Sequence, residues 1–134
     1  MFTLPDNATI HSQRLLPVAE ALVAQIPDDI YDEVALSGSV SRGQSDRLSD
    51  IELIFFVDKL DDRDIYVNAI ETLDGYEYTI PTRSREIYDY NIEFHFRGVE
   101  IGTVWTTWDN VALQLAQIER EPLSADLGFP WVIS

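Results

Sequence analysis

Val34-Ala35-Leu36-Ser37-Gly38-Ser39 and, after ten intervening residues, Asp50-Ile51-Glu52-Leu53-Ile54-Phe55-Phe56-Val57 frame the stretch on which the fold turns. The first run is short, apolar and bounded by Gly38, as a buried strand would be. The second is β-branched and aromatic almost throughout, which suits a strand better than a helix. Both runs read as central strands of a sheet. Because side chains alternate along a strand, Asp50 and Glu52 project to one face while Ile51 and Leu53 turn to the core.

Outward from this stretch, helices and strands alternate. Upstream, Leu15, Leu16, Ala19, Leu22, Val23 and Ile26 recur at helical spacing after Ser12, which reads as the N-cap. Pro17 is tolerable there if it falls near the first turn, and Pro27 ends the segment. Downstream, Asp61-Asp62 precede a helix from Arg63 whose Ile65, Ala69, Ile70 and Leu73 share a face, with Gly75 closing it. Tyr76 to Ile80 reads as a strand stopped by Pro81.

A hairpin follows. Tyr88, Tyr90, Ile92, Phe94 and Phe96 alternate with polar residues, and Arg97-Gly98 makes a two-residue turn into a strand from Val99 to Thr106. That turn pairs Phe96 with Val99, His95 with Glu100, Phe94 with Ile101 and Glu93 with Gly102. Glu93, His95 and Glu100 thereby share the polar face. Thr106 with Asp109 resembles a capping box for a last helix carrying Val111, Leu115 and Ile118 to about Arg120. Trp105, Trp108, Tyr76 and Tyr78 are expected in the core. The apolar tail from Leu123 to Ile133 should pack on this domain, on a second copy or on a helical partner. The expected architecture is α+β, a mixed β-sheet with helices packed mainly on one face, as a single domain over residues 1–134.

Composition narrows the function classes. The 134 residues carry 24 acidic and 9 basic side chains, a formal charge of −15, and Lys59 is the only lysine. Such a surface repels nucleic acid and attracts cationic small molecules. There is no cysteine, so disulfides and thiolate metal sites are excluded. No basic stretch leads into an apolar one at the N-terminus, and no apolar run reaches the roughly 20 residues of a membrane helix. A cytoplasmic protein without membrane contact is the expectation.

The chemistry concentrates in the opening stretch. A glycine leaving a buried strand lets backbone amides approach an anion, and the Ser39 hydroxyl adds a donor. Two carboxylates on one strand face repel each other unless a cation neutralises them, and oxygen-only ligands favour Mg²⁺. Gly38-Ser39, a ten-residue spacer holding Ser41, Arg42 and Gly43, then Asp50-Ile51-Glu52 together resemble the signature of the nucleotidyltransferase superfamily. That superfamily includes DNA polymerase beta, the aminoglycoside and lincosamide nucleotidyltransferases and the minimal nucleotidyltransferase antitoxins.

The resemblance implies that Gly38 and Ser39, with Arg42, hold the triphosphate of an NTP such as ATP. It implies that Asp50 and Glu52 bind Mg²⁺, two ions in all, and that a third carboxylate comes from a neighbouring strand. For that role the return strand offers Glu100, one pleat early, with Gly102 at the other matching position. Glu93, opposite Gly102, is the alternative, and His95 between them is a candidate base. The activity implied is transfer of a nucleoside monophosphate to a hydroxyl of a small molecule, a cationic, aminoglycoside-like acceptor among the candidates. The alternatives are transfer of AMP to a partner toxin, as in the antitoxins, or a degenerate domain that binds nucleotide or partner without catalysis.

Overall fold

The computed structural model describes residues 2–46, 50–81 and 89–113. Along the chain run α1 (Ile10–Gln25), β1 (Glu33–Ser37), α2 (Gly38–Ser41), β2 (Ile51–Val57), α3 (Arg63–Glu71), β3 (Tyr76–Ile80), β4 (Tyr90–Phe96) and β5 (Val99–Thr107). Residues 108–113 are helical as well. The five strands form one sheet in the order β1-β2-β5-β4-β3. All neighbours are antiparallel except β2 and β5, which are parallel. The fold is α+β with a mixed sheet.

One face of the sheet carries the core. Leu36, Ile51, Leu53, Phe55, Ile92, Phe94, Phe96, Ile101 and Trp105 are buried in one cluster with Ala19, Leu22 and Val23 of α1 and Tyr66 and Ile70 of α3. Phe55 and Trp105, in register across β2 and β5, stack at 4.1 Å, and Tyr66 covers Trp105 at 4.5 Å. The indole N–H donates to Thr103 Oγ1, whose hydroxyl donates to the Ile92 carbonyl, so the polar atoms of these two buried side chains are satisfied.

The β4–β5 hairpin has the register that its alternation and turn prescribe, Glu93 facing Gly102 and His95 facing Glu100. Arg97 (φ 50°) and Gly98 (φ 77°) both adopt the left-handed region, the turn geometry whose twist matches paired strands.

Several expectations are corrected. The strand β1 lies at the sheet edge rather than its centre. The N-cap of α1 is Thr9, whose Oγ1 accepts from Ser12 N at 3.2 Å. Ser12 is instead buried, its hydroxyl accepting from Ser45 N. Pro17 therefore falls inside the helix rather than in its first turn, where it removes one backbone bond; burial of Ala19, Leu22 and Val23 opposes that cost.

At the far end, Thr106 is still in β5, and the hydroxyl accepting from Asn110 N is that of Thr107. Trp105 is in the core, but Tyr78 is 54% exposed and Trp108 43%. Trp108 stacks on Phe56 at the surface, at 4.6 Å. Tyr88 and the continuation of the last helix through Leu115 and Ile118, with the tail from Leu123 to Ile133, lie outside the described residues. Among the described residues no helix is long and apolar enough to cross a membrane.

Candidate functional site

The sheet face opposite α1 and α3 carries the polar residues. Register places Ser37 beside Glu52, Glu52 beside Gly102, and Gly102 beside Glu93, so these four lie in one row across β1, β2, β5 and β4. Paired residues project to the same face. Glu100 and His95 form the next pair toward the start of β5. Asp50 immediately precedes β2, two residues from Glu52.

Gly38 and Glu52 are in direct contact. The φ of Gly38 is +71°, which side-chain-bearing residues rarely adopt. A Cβ built on it would lie 2.5 Å from Glu52 Oε2. The glycine turn and the carboxylate strand therefore meet at van der Waals distance, and glycine serves at once for backbone conformation and for room.

Behind that turn the loop is held by hydroxyls. Ser41 Oγ donates to the Gly38 carbonyl (2.8 Å), and Ser39 Oγ lies 3.4 Å from Ser45 Oγ. Thr9 Oγ1 donates to the Ser45 carbonyl (2.6 Å), while Thr9 N donates to the Gly43 carbonyl (2.9 Å). The first turn of α1 is thus tied to the loop after Gly38.

Electrostatics single out Glu52. Burial pushes its carboxyl above the usual range, and the Asp50 charge adds to the rise. Arg42 opposes this, and Glu93 adds to it. The carboxylates of Asp50 and Glu93 thus both act on Glu52, one from just ahead of its strand and one from two strands away.

Sequence reasoning missed Ser37. It is 1% exposed, its Oγ has no hydrogen-bond partner among the described residues, and it stands beside Glu52. An unpaired buried hydroxyl costs roughly 1–3 kcal/mol, so an oxygen arriving at this face has a donor waiting. The signal was the strand period, which puts Ser37 one step before the glycine turn and out of the apolar set.

His95 sits apart from Glu52. Tyr78 stacks on its ring at 5.1 Å, and Nδ1 is 3.6 Å from Glu77 Oε2, beyond hydrogen-bond length.

A divalent cation suits this donor set chemically, because it is all oxygen and Glu52 is already under pressure from like charge. Asp50 and Glu52 are the pair that would hold it. Among the described residues no three His, Cys, Asp or Glu side chains are gathered closely enough to form a metal centre. At Gly102, where a third carboxylate would face Glu52, a Cβ would meet only the Ile51 carbonyl at 3.9 Å and Glu52 Cγ at 4.0 Å. That position is open.

No protein-family model matches the chain, and no curated protein matches it. Among solved structures it is similar to a chain of the GLD-2/RNP-8 complex, with a TM-score of 0.42 and 20% identity. The alignment covers 89% of this chain and 49% of that one, so the chain spans about half the length of that neighbour.

Proposed function

We propose that the protein is a Mg²⁺-dependent nucleotidyltransferase, moving a nucleoside monophosphate from an NTP, ATP in the first instance, to a hydroxyl. The observation that carries this reading is the contact between Gly38 and Glu52. It brings the Gly-Ser turn of the sequence signature against the Asp-x-Glu strand, as a phosphate cradle and a metal site must be if one triphosphate is to touch both.

In this reading the backbone at Gly38-Ser39 and the Ser39 hydroxyl hold phosphate oxygens, and Arg42 offers positive charge at the loop's exposed side. Asp50 and Glu52 hold Mg²⁺, which when bound supplies stabilisation for charge developing on the transferred phosphoryl group. The loop ties from Thr9, Ser12 and Ser45 keep the turn in place, so little ordering accompanies binding. The acceptor hydroxyl belongs to a small molecule; with 24 acidic residues in the chain, a cationic one would be drawn to it.

The test is ATP binding with and without Mg²⁺, followed by pyrophosphate release with a panel of hydroxyl acceptors. Wild type should bind in a Mg²⁺-dependent way, and Asp50→Asn should abolish that dependence. Unchanged behaviour of Asp50→Asn refutes the reading.

Gly102 favours a second one. With glycine facing Glu52 where a carboxylate would stand, a nucleotide-binding domain without catalysis predicts ATP binding and no pyrophosphate release with any acceptor. A protein acceptor, a partner toxin modified with AMP, would show instead as nucleotide found on a co-purified chain.

A further inference from the structure

On the helix side of the sheet, away from Glu52, the end of α1 opens onto a cavity of about 430 Å³ lined by Ala24, Gln25, Pro27, Asp28 and Tyr31 together with the buried Val23 and Ile26. Its hydrogen-bonding groups are unbalanced toward acceptors. The last bond of the helix end runs from Ile26 N to the Val23 carbonyl (3.2 Å), and the carbonyls of Ala24 and Gln25 beyond it accept from no backbone amide among the described residues. Pro27 brings no N–H. Gln25 spends its side-chain amide on Asp74, Oε1 accepting from the backbone N at 2.7 Å and Nε2 donating to the carbonyl at 3.3 Å. No ion pair among the described residues reaches Asp28.

Charge has the same sign as this imbalance. The C-terminal end of a helix carries partial negative charge and is ordinarily met by a basic residue, yet α1 has none in its last turn, and Asp28 adds a carboxylate instead. The adjoining end of α3, tied to α1 through Gln25 and Asp74, shows the ordinary solution: Arg97 Nη2 donates to the Asp74 carbonyl at 3.2 Å and stands 3.9 Å from its Oδ2. At α1 the corresponding cation is missing from the chain itself. One wall is aromatic: Tyr31 is held edge-on against Phe55 at 5.1 Å. Burial pushes its phenol up and the Asp28 charge adds to the rise, so carboxylate and ring are within electrostatic reach of each other.

We propose that this cavity binds a small organic cation, a primary ammonium on a short carbon chain, donating to the Asp28 carboxylate and the Ala24 and Gln25 carbonyls while its carbon chain lies on Pro27 and the Tyr31 ring. An ammonium offers three donors and no acceptor, the complement of what the cavity presents. Its bonds to a carboxylate are charge-assisted, and an aromatic face attracts it further. The site is separate from the transfer chemistry proposed above and does not depend on it.

The experiment is a titration of the full chain with butylammonium chloride, followed by backbone amide chemical shifts in NMR, with sodium chloride and magnesium chloride at matched ionic strength and neutral butanol as controls. The variants are Asp28→Asn and, as an exposed acidic residue elsewhere, Asp58→Asn. Wild type should show saturable shifts confined to residues 24–31, absent with butanol and with either salt. Asp28→Asn should weaken binding by about tenfold or more, the worth of one hydrogen bond between charged groups, and Asp58→Asn should bind as wild type does. Without ligand, Asp28→Asn should melt about 1–4 °C higher, because it removes a charge from the wrong end of a helix.

Shifts that never saturate or that spread over the acidic surface overturn the proposal, as do equal shifts with either salt. Undiminished binding by Asp28→Asn overturns it as well. A lower melting temperature for unliganded Asp28→Asn would mean that the carboxylate serves the fold, and would overturn it equally.

Discussion

Replacing Gly38 by alanine tests the contact on which the functional reading depends. Two costs are added and one is relieved. Holding a side-chain-bearing residue at φ +71° costs about 1–2 kcal/mol. The new methyl group, 2.5 Å from Glu52 Oε2, forces that side chain aside, and an off-rotamer position costs about 0.5–1.5 kcal/mol. A stiffer unfolded chain returns about 0.4–1 kcal/mol. The expected net loss is about 1–3 kcal/mol. For a chain of 134 residues the unfolding entropy is about 0.28 kcal/mol/K, so the melting temperature should fall by about 4–11 °C.

The decisive measurement is a double-mutant cycle with Glu52→Ala, followed by urea and thermal unfolding. Without the Glu52 carboxylate only the backbone term remains, so the two substitutions should couple by about 0.5–1.5 kcal/mol. Additive behaviour would mean that Glu52 does not lie over the turn. The idea that turn and strand form one site would then fail.

Other outcomes follow from the same geometry. Gly102→Ala should be neutral or stabilising by about 0.5–1 kcal/mol, because its Cβ meets only ordinary contacts and a strand disfavours glycine; a loss above that in urea unfolding would contradict the open space. Glu52 has a carboxyl raised in the folded state, so the native protein holds that proton more tightly than the unfolded chain does. Stability should therefore fall as pH rises from the ordinary carboxylate range through the raised value. Glu52→Gln should be more stable than wild type at neutral pH, with the difference vanishing in acid, as followed by melting temperature against pH. Ser12→Ala removes the acceptor for the Ser45 amide at 2.9 Å and should cost about 1–3 kcal/mol by urea unfolding, with weaker ATP binding as the loop loosens.

What the sequence disclosed and what it hid divide by range. The hairpin register was readable because a two-residue turn and a period of two determine it locally. The strands β1, β2 and β3 were readable from apolar runs with clear stops. The edge position of β1 was not, since a short apolar strand looks the same at an edge as in the middle. Ser12 looked like a cap and is not one, because its hydroxyl is used by an amide 33 residues away. Tyr78 and Trp108 looked like core residues and are surface stacking partners of His95 and Phe56. At the site, the two-residue spacing of Asp50 and Glu52 was legible, and the Asp50 charge does reach Glu52. The row through Gly102 to Glu93 required the parallel pairing of β2 with β5, which no local pattern encodes.

That parallel pairing also has a kinetic side. The strands β4 and β5 close through a two-residue turn, but Glu52 meets Gly102 only after fifty residues of chain have been brought round. Loop closure of that length has to precede any contact that rewards it, so the β2–β5 pairing should form late in folding and open only when the whole sheet opens. Amide protons of Ile51–Val57 are accordingly expected to exchange with solvent at the rate of global unfolding, whereas those beside the Arg97-Gly98 turn exchange by local opening. The protein should have no partly folded state that keeps its row of carboxylates.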